Sequence, residues 1–353
     1  MSSFLSRPAE PRPAPRALSY WLLFVAALVF GIVVVGGITR LTESGLSITE
    51  WKPIRGIVPP LNDAQWQAEF AGYKRIPQYA HYNASMTLAG FQHIYFWEYL
   101  HRLLARAIGT VMAIVAIVFW WRRAIPEGYG RRLIVILLLG ALQGVIGWWM
   151  VASGLQYRTE VSHLRLATHL MAALLIYSVL IWTALDLALL ARNPTARPAR
   201  MTGIGATALI ILALQIMMGA FTAGLRAGYA FASWPKMGED WFPKGGWNSG
   251  MTMLQNLADN PIAVQFVHRW WAWTAAVAVL IVAGMARRTG VKGPAHAIAT
   301  AIVLQILLGI ATLMSGVAIP IAVAHQAMAT LLLASLLWGA HAIGRAAPDA
   351  VTA

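Results

Sequence analysis

The sequence predicts an all-α membrane protein whose eight transmembrane helices form two parallel-repeat four-helix bundles. Three observations predict it: a charge-poor composition, apolar runs of bilayer-spanning length, and a second half that repeats the first. Of 353 residues, 59% are hydrophobic and 11% charged, whereas a water-soluble domain carries about a quarter of its residues charged. The formal charge of +14 does not mark a nucleic-acid partner. The basic residues punctuate apolar runs, form no stripe, and read as topology determinants. Cysteine is absent, which excludes disulfides, thiolate ligation, Cys-bound iron–sulfur clusters and thiol nucleophiles. Any metal must rest on His, Met or carboxylate.

The apolar runs cover roughly 17–39, 98–121, 132–153, 165–187, 203–224, 264–286, 294–315 and 319–343. Each is close to the ~20 residues that cross a bilayer core. Runs this long and uniformly apolar satisfy their backbone groups in lipid as helices. Residues 1–16, rich in Pro and Arg, read as a disordered cytoplasmic N-terminus. The first run is too long for a signal-peptide core and reads as a retained helix. Arg7, Arg12 and Arg16 precede it. Arg122, Arg123, Arg131 and Arg132 follow the second run, Arg192, Arg197 and Arg200 the fourth, and Arg287, Arg288 and Lys292 the sixth. Short basic loops stay cytoplasmic. Both termini, including the tail 344–353, are therefore expected inside. The long segments 40–97 and 225–263 are expected outside, with Trp51, Trp66, Trp234, Trp241 and Trp247 at the interface.

The repeat carries the domain division. Leu142-Gln143, Gly147 and Ser153-Gly154 recur with identical spacing as Leu304-Gln305, Gly309 and Ser315-Gly316. Thr39, Gly45 and Trp51 recur as Thr222, Gly228 and Trp234, EYLHR as QFVHR, and THLMA as AHQAMA. Four spans separate the copies, and an even number preserves orientation, so the repeats are parallel. Residues 17–187 form an N-terminal half and 203–343 a C-terminal half, joined by a cytoplasmic linker, 188–202.

His101, His169, His268 and His325 occupy corresponding places, each within about the first two turns of an even-numbered span, two per half. Ionisable groups inside a membrane are costly and functional by default. Two imidazoles facing each other across a four-helix bundle suit the axial ligation of haem. Copper and zinc sites want three or four gathered ligands. Arg102 and Arg269 directly follow His101 and His268, while Arg106, Arg165, Arg40 and Arg226 lie near the same face. Such guanidinium groups suit haem propionates, although snorkelling toward the interface accounts for any one of them equally well. The remaining histidines, His81, His93, His163, His296 and His341, carry less information. The halves differ at one telling position. Glu98 stands three residues before His101, and its counterpart is Gln265. Residues three apart share a helix face, so Glu98 is expected to face the pocket of His101 and to handle protons there. One half then reads as built for reaction and the other for a resident cofactor.

Segments GGITRLTESGLSITEWKPIRGIVPP, FQHIYFWEYLHRLLAR, THLMAALLIYS, QIMMGAFTAGLRAGYAFASWPKMGEDWFP, VQFVHRWWAW and AHQAMATLLL closely resemble the haem A synthase family, from about Ser19 to Gly344. The WPKMGEDWFP form without cysteine is similar to its proteobacterial and mitochondrial branch. The resemblance implies an oxidoreductase that converts the C8 methyl group of haem O to a formyl group by successive hydroxylations and loss of water. It implies haem b held by His268 and His325, with Arg269 beside it. It implies substrate haem at His101 and His169, with Arg102 beside it and Glu98 as the catalytic carboxylate. It further implies a bacterial inner-membrane location, haem O synthase and cytochrome oxidase assembly factors as partners, and an electron donor that no residue identifies; a homo-oligomer is left open. Some relatives carry a cysteine pair in an outer loop, and this chain has none. The alternatives are a bis-histidine membrane cytochrome b in electron transfer, which leaves the Glu98/Gln265 difference unexplained, and a transporter, which the scarcity of mid-membrane charge disfavours.

Overall fold

The computed structural model describes residues 13–52, 55–156 and 158–346. Its helices are α1 (Pro15–Leu41), α2 (Asp63–Tyr73), α3 (Pro77–Tyr82), α4 (Leu88–Trp121), α5 (Gly130–Ala152), α6 (His163–Leu190), α7 (Gly203–Gly224), α8 (Met253–Asp259), α9 (Pro261–Arg288), α10 (Lys292–Met314) and α11 (Ile319–Ala346). Among the described residues there is no β-strand beyond an isolated bridge of Met237 with Asp240. Eight helices, α1, α4, α5, α6, α7, α9, α10 and α11, are long and apolar enough to cross a membrane. The chain is a multi-pass membrane protein. Residues 1–12 and 347–353, most of the expected N-terminal segment and tail, lie outside the described residues.

The helix starts have local causes. Pro15 and Pro261 occupy first-turn positions, where proline loses no hydrogen bond. Thr87 and Thr202 cap α4 and α7 by accepting from the amides of Gly90 and Gly205. Asn260 accepts from the amides of Ile262 and Ala263 at the head of α9. Each such cap satisfies amides that the helix itself leaves unpaired.

Helices α1, α6 and α11 run two or three residues into the segments expected as N-terminus, linker and tail, and one boundary differs by more. The second span begins at Leu88 and not near 98, so His101 lies well inside α4 and not within its first two turns. The added turns are stabilised by packing against α2. Phe91, Ile94 and Tyr95 are buried with Phe70 and Tyr73 of α2, and Phe91 stacks on Phe70 at 4.9 Å between ring centres. Together α2, α3 and the head of α4 cap one end of the first four spanning helices.

Helix α1 packs against α4 and α6, and α5 also packs against α4 and α6. In the second half α7 packs against α9 and α11, and α10 packs against α9 and α11. Each set of four closes on itself. The two sets meet where α6 touches α7 and α11, and where α1 touches α11. Leu18, Leu22, Leu180, Leu187, Val279, Ile298, Leu332 and Leu336 fill the core. Ile117, Leu138, Val145, Val277 and Leu307 are exposed on the outer faces, where lipid is their natural solvent. Lipid is as apolar as leucine, so association relies on close packing and on polar ties. One tie runs between the sets: Gln326 Nε2 donates to Val33 O at 2.7 Å. A second ties helices to the linker: Asp186, buried on α6, accepts from Arg132 at 2.6 Å, from the Ala199 amide at 2.8 Å and from His341 at 3.0 Å.

Candidate functional site

The four histidines singled out above come together as two pairs. The rings of His101 (α4) and His169 (α6) are 6.5 Å apart between centres. Those of His268 (α9) and His325 (α11) are also 6.5 Å apart. All four keep partial access, so space remains between the members of each pair. Among the described residues no three His, Asp or Glu side chains gather as a metal cluster. The chemistry on offer is that of pairs.

The spacing suits a haem iron between the rings. A metal–imidazole bond is about 2 Å and the ring adds about 1 Å, which places two axial imidazole centres about 6 Å apart across one metal. Both pairs meet this test. Glycine makes it feasible, because each ring rests on a glycine of a neighbouring helix. A Cβ added at Gly36, Gly147, Gly219 or Gly309 would lie 3.1, 3.0, 3.0 or 2.9 Å from Cε1 of His101, His169, His268 or His325. A larger side chain there would displace the imidazole.

Glutamines orient two of the rings. Gln143 Nε2 lies 3.1 Å from His169 Nδ1 and donates to His169 O at 2.9 Å. Gln215 Nε2 lies 3.2 Å from His268 Nδ1 and donates to His268 O at 3.0 Å. An axial histidine needs its second nitrogen oriented. The sequence reading used Gln143 only as a repeat marker and missed Gln215. The available signal is the spacing Gln-x-x-x-Gly, found at Gln143–Gly147, Gln215–Gly219 and Gln305–Gly309. The first helix has Ile32 ahead of Gly36 instead. The Nδ1 atom of His101 is buried without a hydrogen-bond partner among the described residues.

Glu98 is 3% exposed and fully engaged. Its Oε2 accepts from Ser47 Oγ at 2.7 Å and from the Ile48 amide at 2.8 Å, and its Oε1 accepts from Arg102 at 2.6 Å. Arg102 donates further to Ile48 O and Glu50 O. Gln265 does the equivalent task in the second half, donating to Phe231 O at 3.1 Å. Arg269 donates to Phe231 O and Ser233 O at 2.8 Å and to Lys236 O at 3.2 Å. In the repeat register Phe231 and Ser233 are the counterparts of Ile48 and Glu50. Arg102 and Arg269 each hold the loop that follows the first helix of their half through its backbone carbonyls. Ser47 has Ala230 as its counterpart. The carboxylate and the hydroxyl that donates to it therefore occur together in one half and are missing together from the other.

A charged seam joins the halves at the same end. Arg40 pairs with Glu160 at 2.7 Å, and Arg226 pairs with Glu160 at 2.5 Å and with Glu43 at 2.6 Å. His163 faces Asp259 at 3.0 Å. Glu43 and Arg226 are repeat counterparts, and both have positive φ, 56° and 53°.

Comparisons with known proteins place the chain in a family. A family model described as cytochrome oxidase assembly protein matches residues 19–337. A Rhizorhabdus wittichii protein named Heme A synthase is 69% identical over 343 residues, covering 97% of this chain and 99% of that one. Proteins of the same name from Sphingopyxis alaskensis, 50% identical with 94% of each chain covered, and Novosphingobium aromaticivorans, 48% identical with 95% and 99% covered, are also similar. With the model spanning nearly all of the membrane-embedded fold, the chain belongs to the cytochrome oxidase assembly protein family.

Proposed function

We propose that this chain is a haem A synthase, an oxidoreductase of the bacterial inner membrane that converts a methyl group of haem O to a formyl group. The observation that carries the reading is two like histidine pairs in unlike surroundings. The His101–His169 pair has Glu98 and Ser47 above it, whereas the His268–His325 pair has Gln265 and Ala230 in the same places. The relatives' shared name supports haem O as the substrate. The family description supports a place for the product in oxidase biogenesis, with haem O synthase, oxidase assembly factors and an electron donor as partners.

In this reading the halves are parallel-repeat bundles, with the long loops outside and both termini on the cytoplasmic side. Substrate haem sits between His101 and His169. His268 and His325 would hold a resident haem b, which supplies one-electron redox chemistry when bound. Gln215 orients His268, and Gln265 and Arg269 hold the loop over that pocket. Arg102 and Ser47 position the Glu98 carboxylate one turn above His101. Glu98 moves protons at the reacting edge of the substrate, and the α2–α3 cap keeps bulk water from it.

The test is Glu98→Gln expressed in cells that make haem O, with extracted pigments identified by chromatography and mass. The expected result is haem B retained beside unconverted haem O, with haem A lost. Haem B alone at two per chain in the unmodified protein would favour the electron-transfer cytochrome, and conversion at the normal rate in the variant would remove Glu98 from the reaction.

A further inference from the structure

Most of the arginines near the histidine pairs are committed to protein partners. Arg40 and Arg226 are held by Glu160 and Glu43. Arg102 is held by Glu98 and loop carbonyls, Arg106 by Lys52 O, and Arg269 by three carbonyls. Arg165 spends one nitrogen on Trp149 O at 2.8 Å and lies over the Trp149 ring at 4.5 Å. Arg158 has no hydrogen-bond or ion-pair partner among the described residues. Both line one recess of about 440 Å³, together with Ser153, Gln156 and Ser162, where α5 passes into α6.

The recess belongs to one half only. Arg165 stands four residues before His169 on α6, hence on nearly the same face and about 6 Å nearer the loop-rich end. The residue in that relation to His325 is Ile321, and α10 passes to α11 through only Ser315, Gly316, Val317 and Ala318. The half assigned to a transient guest thus has a basic recess about one turn from its α6 histidine, and residues 315–321 of the other half carry no arginine or lysine.

Resting on the function proposed above, we infer that this recess binds the propionate carboxylates of the substrate haem, with Arg158 and Arg165 as charge partners. Guanidinium groups match carboxylates in geometry. Solvent-exposed pairs of this kind are weak and salt-screened, which suits cargo that has to leave.

The experiment uses the full chain, carrying its own haem, purified in neutral detergent. Haem O and haem O dimethyl ester, in which both carboxylates are masked, are titrated into it by absorbance. His101→Ala marks binding at the intended pair. The intact protein should bind the free acid about tenfold more tightly than the ester, a preference of the size expected for charge-assisted pairing. The double variant Arg158→Gln/Arg165→Gln should bind acid and ester alike, with its haem B content unchanged. Either a double variant that keeps the preference or an intact protein without one overturns the inference. Loss of phosphatidylglycerol binding in the double variant, with the acid preference intact, would assign the recess to a lipid headgroup and also overturn it. Should neither haem form bind in a His101-dependent way, the substrate pocket itself has been misassigned and the inference falls with it.

Discussion

Replacing Gly309 by alanine should loosen the haem proposed for the second half by displacing one of the histidines that would hold it. The added Cβ would stand 2.9 Å from Cε1 of His325 and 3.5 Å from its Nδ1. Carbon atoms rest at about 3.5–4.0 Å, so the ring must retreat by about 0.6–1 Å. Ligand distances in a metal site tolerate only about 0.2 Å. The imidazole therefore leaves the position from which it would hold the haem, or forces α10 and α11 apart. Overpacking a filled site costs about 1–3 kcal/mol, which corresponds to roughly 5- to 150-fold weaker haem retention. Gly219→Ala should act alike through His268, where the approach is 3.0 Å. Gly284→Ala on α9 is the control, because nothing lies within 4 Å of its added carbon; it should be neutral or gain up to about 1 kcal/mol of helix propensity. The assay is haem per protein by pyridine haemochrome, with the low-spin bis-imidazole spectrum as a second readout. A full haem complement with an unchanged spectrum in both Gly309→Ala and Gly219→Ala would refute the idea that these glycines seat the ligands.

Three further outcomes follow from the polar ties. Asp186→Asn should lower stability in detergent by about 3 kcal/mol, because it leaves Arg132 and His341 facing a neutral amide in a buried site; thermal unfolding reads this directly, and an unchanged midpoint would make the tie dispensable. Reversing Glu43 to Arg or Arg226 to Glu should each weaken the seam, and the double reversal should recover about 1 kcal/mol of coupling that fades with salt; strict additivity of the two changes would show that the pair is idle. Lys52 lies outside the spans, and its hydrogen bond to Glu69, opposed in part by burial, holds its amine above the ordinary 10.5. A raised pKa stabilises the fold fully below the unfolded value and ceases to do so as pH rises through the folded one, so Lys52→Met should remove a small alkaline loss of cap stability above pH 10.5. An identical alkaline limb in the variant would exclude that ion pair as its source.

Hydropathy alone located the eight spans because lipid imposes one requirement on long stretches. The start of α4 escaped it, since Leu88–Trp97 is aromatic and amphipathic and is held by α2 and not by lipid. The histidine pairs were legible because they recur at corresponding repeat positions in both halves. The bonds of Arg102 and Arg269 to loop carbonyls were not, because a guanidinium bonded to backbone carbonyls leaves no mark on the residues that supply them. Nor was the buried tie of Asp186 to His341, partners separated by 155 positions and absent from the repeat pattern. Ser47 was hidden for a related reason: its importance lies in what Ala230 lacks, and that contrast is visible only once both loops are seen over their pockets.

Glu43 and Arg226 occupy the same place in the two copies and carry opposite signs. Had the copies remained separate identical chains, that place would meet itself across the pair as Glu against Glu or Arg against Arg. In one polypeptide the two places carry unlike residues, and their contact is a lock that recognises its unlike partner. Cut within the linker and produced as two fragments, the halves would be sorted by this contact into first-with-second pairs, while first-with-first and second-with-second pairs would bring like charges together.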